Sequence, residues 1–413
     1  MTGIFILPSS IFLSSLFLLP AAIIGSIKNK NTFFQNKFNK AFFACGVLIV
    51  ISSIIHSFIK INEYQDLSGS IKNFSSVFNF IPYFWIYSSF KYYLNSAKKR
   101  KLFIKVAIAG TFPLLITGFG QYFFKWYGPF EIFNGLIIWF QKPINNSDGL
   151  SGLFSNQNYA GSWLSFIWPF CIALFLEKKE TLFERKINMI FLLSIGLASF
   201  LTNSRNALAG LFITPQIVIG KKRLVLFLTM FLTFLVIVIF LISPISSFLK
   251  DSMLKLIPLG FLENINQISN LSDFKYIVGS RLHMIINSLK YLSFNPFIGI
   301  GSDSFSDIYL SEYGIYRGHS HNIILELALS FGLPATFILV LTIALLIINS
   351  GKRIFSFNRG SIKIYNFYEK AIWSSILFFL FSQMFDIQYY DGRISIFAWT
   401  LLSCLGQIID EKY

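Results

Sequence analysis

"RGHSHNIILELALSFGLPATFILVLTIALLI", Arg317 to Ile347, decides the architecture. Arg317, His319 and His321 stand at its head, and a long apolar run follows that carries one carboxylate, Glu326. A helix rising about 1.5 Å per residue needs roughly 20 apolar residues to cross a hydrocarbon core about 30 Å thick, and this run is long enough. A chain with only 4 histidines therefore puts two of them one residue apart at the mouth of a membrane-length helix.

The remainder of the chain has the same character. Of 413 residues, 54% are hydrophobic and only 13% are charged, against roughly 25% charged in soluble domains. Further apolar runs fall near 4–26, 41–59, 74–90, 103–120, 158–176, 187–203, 206–220, 224–247, 370–386 and 394–409. With 321–349 they predict an all-α polytopic membrane protein of about 11 (10–12) transmembrane helices. The chain divides into transmembrane helices over 1–120, an outer loop over 121–157, and transmembrane helices over 158–247 with a tight Ser-Arg turn. A large outer loop over 248–320, containing short amphipathic helices, precedes the C-terminal helices of 321–413.

Net charge is +16, which in a soluble chain would suggest nucleic acid. Here the basic residues crowd into every second connection, so no nucleic-acid partner is expected. They are Lys28, Lys30, Lys37 and Lys40; Lys98 to Lys101; Lys178, Lys179, Arg185 and Lys186; Lys221 to Arg223; and Lys352, Arg353, Arg359 and Lys363. The positive-inside rule makes these loops cytoplasmic, which puts the start of the chain outside and its end inside. The first apolar run has no basic stretch before it, so it reads as a true span and not a cleaved leader. Cys45, Cys171 and Cys404 all sit in apolar runs, which argues against a disulfide framework.

Ionisable residues are scarce within the spans, where each costs about 2.5–3.5 kcal/mol or more. The exceptions gather at the outer edge: Arg205, Arg281, His283, His319, His321, Asp386, Asp391 and Arg393. Glu326 lies about 7.5 Å below His321 if both ride one helix. A transporter should carry its charged groups or broken helices near the midplane. An enzyme acting on a lipid-linked substrate should cluster them at one interface, and that pattern is the one found.

Each of these residues has a bland and a sharp reading. Arg205 either snorkels to headgroups or forms a bidentate fork for a substrate phosphate, with Ser204 and a neighbouring Asn as neutral donors. Arg281 opens an amphipathic segment, 281–292, stopped by Asn295-Pro296 and suited to a membrane surface. The Gly299-Ile300-Gly301 sequence that follows signals a turn and lacks the strand–turn–helix context of a nucleotide loop. His319-Ser320-His321 is a solvated or structural pair, half of a metal site that His283 or a loop acid would complete, or the seat of a general base. Tyr309, Tyr313 and Tyr316 are interface aromatics or stacking platforms for sugar rings.

Four stretches, in order, resemble the O-antigen ligase and O-antigen polymerase family. His321-Asn322, nine residues, Gly332, two residues and Ala335 is similar to its signature, departing only at Ala335. "GLFSNQNYAGSWL" (Gly152–Leu164, with Asn158), "SRNALAGL" (Ser204–Leu211) and "SRLHMIINSLKYLSFNPFIGIGSDSF" (Ser280–Phe305) resemble three others, so the likeness covers 150–350. The resemblance implies an inverting, metal-independent glycosyltransferase of the bacterial inner membrane, without cofactors, whose N-terminus is periplasmic and C-terminus cytoplasmic. Its donor would be an undecaprenyl-pyrophosphate-linked glycan, and its acceptor lipid A-core or a second lipid-linked glycan. It implies His321 as the catalytic general base or orienter of the acceptor hydroxyl. Beside it, Arg205 and Arg281 are expected as catalytic residues that clamp the pyrophosphate, with His319, Arg317, Asn322, Asn158, Ser204 and Glu326 as weaker substrate contacts. The family also includes bicarbonate-transport components, so a small-anion transporter and a non-catalytic part of a glycan-export complex stand as alternatives.

Overall fold

The computed structural model describes residues 1–58, 74–145, 148–177, 181–220, 283–314, 316–356 and 366–411. Arg281, the span expected at 224–247, residues 248–282 of the outer loop and the basic residues Lys178, Lys179, Lys221 to Arg223, Arg359 and Lys363 lie outside them.

The helices are α1 (Thr2–Ile6), α2 (Ile11–Asn29), α3 (Lys37–Phe58), α4 (Ile81–Phe90), α5 (Ala97–Gly110), α6 (Phe112–Phe124) and α7 (Gln157–Phe175). They continue as α8 (Leu182–Leu201), α9 (Arg205–Ile219), α10 (Ser304–Tyr313), α11 (Ile323–Phe355), α12 (Asn366–Ser382) and α13 (Gly392–Asp410). Residues 283–292 are helical too. Among the described residues, five segments are long and apolar enough to cross a membrane: Ile11–Gln35, Lys37–Phe58, Ala97–Phe124, Ile323–Phe355 and Gly392–Asp410. Helices α7, α8, α9 and α12 stand where further spans are expected. The run at 74–90 does not form one long helix. It splits into a 3-10 turn, Ser76–Asn79, and the ten-residue α4, which has Pro82 in its first turn. A proline is tolerated there because the first helical N–H groups lack partners anyway.

The all-α expectation needs one correction. Within the 121–157 loop, β1 (Phe130–Ile132) and β2 (Ile137–Trp139) pair antiparallel, Phe130 opposite Trp139. Their turn contains Asn134-Gly135, both at positive φ, the dipeptide that suits a tight hairpin. Strands of three residues are too short for the sequence alternation to announce them.

The chain forms two compact units. One gathers α1, the start of α2, α5 to α9 and most of α12; the other gathers the rest of α2, α3, α4, residues 283–292, α10, α11, the end of α12 and α13. In the first unit α7 packs between α8 and α9. Gly161 lets α9 approach closely, since a Cβ there would come 2.9 Å from Ser204 Cβ and 3.0 Å from Ala207 Cβ. Small residues at such crossings are how membrane helices gain packing, since lipid is as apolar as their side chains. Arg100 and Glu369 form a buried ion pair at 2.5 Å in this unit.

The second unit is built around α11, which packs on α3 and α13. Helix α11 is broken at Gly332, at φ 84° and ψ 168°, with Pro334 following. The break exposes backbone groups that cannot be left bare in an apolar setting, and the 296–300 segment satisfies them. Ile300 N donates to Leu329 O at 2.7 Å and Leu333 N donates to Pro296 O at 2.8 Å. Two glycines make this approach sterically feasible: a Cβ on Gly332 would lie 2.1 Å from Phe297 O, and one on Gly299 would lie 2.4 Å from Leu329 O. Helix α3 braces the same loop, with Ser52 Oγ donating to Ile298 O at 2.7 Å and His56 Nε2 3.1 Å from Gly299 O. Ala335, where the family signature usually differs, is 2% exposed, and its carbonyl accepts from Cys45 Sγ of α3.

Replacing Gly332 by Ala should destabilise the protein by roughly 3 kcal/mol or more, because strain at positive φ adds to the clash with Phe297 O. Gly314, at φ 68° with nothing within 4 Å of its Cβ position, supplies the control. Its replacement by Ala should cost only the conformational term, about 1–2 kcal/mol. Thermal unfolding of the detergent-solubilised variants would separate the two.

Candidate functional site

The second unit holds the histidines at the head of α11. Asn322 caps the helix: its Oδ1 accepts from Ile324 N at 3.0 Å and Leu325 N at 3.2 Å. The cap also ties α11 to the connection that leads to α13. Asn322 Nδ2 donates to Met384 O at 3.2 Å, and Ile323 N donates to Gln383 O at 3.0 Å. His321 is thus not the first turn of the helix, as the spacing to Glu326 assumed. It precedes the cap at φ 57°, a left-handed conformation that turns the chain sharply. A non-glycine residue there is strained, and such strain collects where a side chain must be aimed.

That turn is stapled from both sides. Ser320 N donates to Glu326 Oε2 at 2.9 Å, so the carboxylate of Glu326 folds back onto the loop. Glu326 is only 4% exposed and serves the loop's backbone, a different role from the substrate contact implied for it. Its partner Ser320 further donates through Oγ to Asn322 O at 3.1 Å. His321 N donates to His319 Nδ1 at 3.1 Å, and the two rings lie 4.4 Å apart at 65°.

The decisive contact comes from the connection between α12 and α13. His321 Nδ1 lies 3.0 Å from Asp386 Oδ1, both side chains being partly buried. With the proton on Nδ1 donated to the carboxylate, Nε2 keeps its lone pair and is the basic nitrogen. Asp386 is itself held, its Oδ2 accepting from Gln388 Nε2 at 2.7 Å. Gln383 fastens the rest: its Oε1 accepts from Gln388 N at 2.8 Å and Tyr389 N at 3.0 Å, and its Nε2 donates to Gln388 Oε1 at 2.9 Å. Tyr389 anchors the connection below, donating to Asn79 O at 2.9 Å while accepting from Trp399 Nε1 at 2.9 Å.

Burial pushes the pKa of His319 down to about 4, with His321 adding to the effect and Asp386 opposing it. Its ring is therefore neutral at working pH. Because Nδ1 accepts from a backbone N–H, the proton of His319 sits on Nε2, which makes it a neutral donor beside the basic nitrogen of His321.

Other sequence-predicted groups fall elsewhere. Asp391 and Arg393 neutralise each other, Arg393 Nη2 lying 2.6 Å from Asp391 Oδ2, while Asp391 caps α13. His283 does not join the histidine pair. Its Nδ1 meets Tyr309 OH at 2.8 Å, and its ring lies 4.7 Å from Tyr313, whose hydroxyl donates to Asn287 Oδ1 at 2.9 Å. The 283–292 helix buries Met284, Asn287, Tyr291 and Leu292 and exposes Ile285, Ile286 and Leu289, so Leu292 parts from the other apolar residues of the face its sequence offers. Tyr316 is 68% exposed and Arg317 half-buried in the loop before the histidines.

In the other unit, Arg205 is the exposed first residue of α9. Ser204 is 1% exposed and caps α9, its Oγ accepting from Ala207 N. Asn158 is likewise a helix residue whose N–H donates to Asn156 Oδ1 at 2.8 Å, so the capping role in "SNQN" belongs to Asn156. The structure thus brings together His319, His321, Asn322 and Glu326 of the residues singled out. Asp386, Gln383 and Gln388 were missed as site residues, although the outer position of Asp386 was the one available hint.

Residues 189–340 match the family model described as O-antigen ligase. No curated protein matches the chain. The match supports the O-antigen ligase/polymerase family and, with it, a membrane glycosyltransferase in general. The matched stretch contains Arg205, Arg281 and His321 but stops short of Asp386, and Asn158 lies before it.

The low proton affinity of His319 has a consequence for stability. The unfolded chain binds a proton near pH 6.5 and the folded chain only near pH 4, so folding stability falls as pH drops through this window. Thermal unfolding at pH 7 and pH 4.5 should show a smaller acid-induced loss for His319→Gln than for the native protein. Equal losses would place the proton-sensitive group elsewhere.

Proposed function

Starting from a membrane chain whose residues 189–340 carry the O-antigen ligase pattern, we propose that it transfers a glycan from undecaprenyl pyrophosphate to an acceptor hydroxyl. The acceptor is lipid A-core if the protein is a ligase and a second lipid-linked repeat if it is a polymerase. The reaction takes place at the periplasmic side of the bacterial inner membrane, with the N-terminus periplasmic and the C-terminus cytoplasmic.

One observation carries the reading: the 3.0 Å contact between His321 Nδ1 and Asp386 Oδ1, which leaves Nε2 as the base. In the transfer, Nε2 takes the proton of the acceptor hydroxyl while that oxygen attacks the anomeric carbon. The bond from carbon to the pyrophosphate oxygen breaks, and polyprenyl pyrophosphate leaves with the bonding electrons. A single displacement of this kind inverts the anomeric centre. Asp386 stabilises the imidazolium that forms, as a buried acidic partner does in hydrolytic triads. The neutral Nε2–H of His319 suits an oxygen of the acceptor or the leaving group. Arg205 and Arg281 are proposed, from the sequence pattern, to hold the pyrophosphate as its charge grows. No step requires a metal.

Glycan transfer from the polyprenyl donor, measured in membranes containing equal amounts of each variant, tests these roles. His321→Ala should slow transfer by about 10²–10⁴-fold, the range for loss of a positioned base. Asp386→Asn should also slow it, because an amide N–H can donate to Nδ1 and so favour the unproductive tautomer with its proton on Nε2. Arg205→Ala and Arg281→Ala should slow it as well, and a chelator should leave it unchanged. Native rates in His321→Ala would refute the assignment. Deletion followed by a gel of surface polysaccharide separates the two acceptors: loss of all capping marks a ligase, and one capped repeat without a ladder marks a polymerase.

A further inference from the structure

We propose that His319, His321 and Asp386 also form an inhibitory binding site for a late first-row divalent cation, zinc above all. One ligating atom from each of the three residues lies within 4.8 Å of the others, and all three residues are half-buried, hence within reach of solvent. Two imidazoles and one carboxylate make a donor set that suits zinc and disfavours magnesium or calcium, which prefer all-oxygen shells.

The geometry fits a reversible site better than a structural one. Zinc bonds of about 2.0–2.2 Å put neighbouring tetrahedral ligands roughly 3.3 Å apart. His321 Nδ1 and Asp386 Oδ1, at 3.0 Å, already have nearly that spacing. Closing the set requires the His319 ring to swing inward and give up the N–H of His321 that its Nδ1 now accepts. Gln388 holds the other Asp386 oxygen, Oδ2, at 2.7 Å and would orient the carboxylate toward the ion. Water would take the fourth position.

Inhibition follows from proton placement. A zinc ion on Nδ1 of His321 displaces the proton there, and that proton passes to Nε2. Nε2 then has no lone pair for the acceptor hydroxyl. This consequence rests on the proposed role of His321 as base; the binding of zinc does not.

The test uses the full chain, purified, stripped with chelator and reconstituted in lipid nanodiscs. Zinc chloride is titrated with magnesium in excess, bound zinc is measured after desalting, and cobalt chloride supplies a visible spectrum of the ligand field. The native protein should bind zinc. His319→Gln and Asp386→Asn should each weaken binding by roughly 10-fold or more, with thermal midpoints checked to confirm folding. His283→Gln, whose ring is engaged with Tyr309 and Tyr313, should bind as the native protein does. Zinc should slow glycan transfer by the native protein, and chelator should restore it. Equal zinc uptake by the native protein and the His319→Gln/Asp386→Asn double variant would overturn the site, and zinc bound without slower transfer would overturn its inhibitory role. Absent zinc binding with transfer still dependent on His321 defeats this inference alone, whereas zinc binding with native transfer by His321→Ala defeats the proposed function.

Discussion

An imidazole can take a proton from a hydroxyl only through a nitrogen that holds a lone pair, so something must decide which nitrogen carries the proton. At His321 that decision falls to Asp386, 3.0 Å from Nδ1. The rest of the local architecture serves to keep these two groups in register. The left-handed turn at His321 aims the ring, Glu326 and Ser320 fix the turn, and Asn322 fastens it to the connection that carries Asp386. Gln383 and Gln388 then lock that connection by binding each other and its backbone.

The break in α11 belongs to the same design. Gly332 lies about three turns below His321, and the segment from Pro296 to Ile300 inserts its backbone there. In a soluble protein water could satisfy a broken helix, but within a bilayer only protein can do so. Gly332 and Gly299 are therefore glycines for a steric reason, and the Gly-x-Gly sequence has no need of a nucleotide to account for it. The loop after the 283–292 helix is thereby fixed to the same helix that carries the histidines.

Much of this was legible before the structure. The long helix at 323–355, the tight turn before Arg205, the amphipathic 283–292 segment and the histidine pair at the mouth of α11 all follow from hydropathy, spacing and capping residues. Local patterns could not reveal groups whose roles depend on distant contacts. Asp386 looks like one more loop acid until the 65-residue separation from His321 is closed. Ser204 looked like a polar donor, yet the backbone of a helix start has first claim on such a group, and Ser204 Oγ accepts from Ala207 N. Glu326 looked like a group below the histidines on one helix face, whereas its carboxylate turns back to the Ser320 amide. The hairpin at 130–139 was hidden by its brevity.

The tautomer of His321 tests the central claim most directly. Nitrogen-15 NMR of histidine-labelled protein in nanodiscs distinguishes a protonated Nδ1 from a protonated Nε2, and His321→Gln identifies the signal. The account predicts a proton on Nδ1 and a bare Nε2 in the native protein, with that preference lost in Asp386→Asn. A proton on Nε2, or a spectrum indifferent to Asp386, would contradict it.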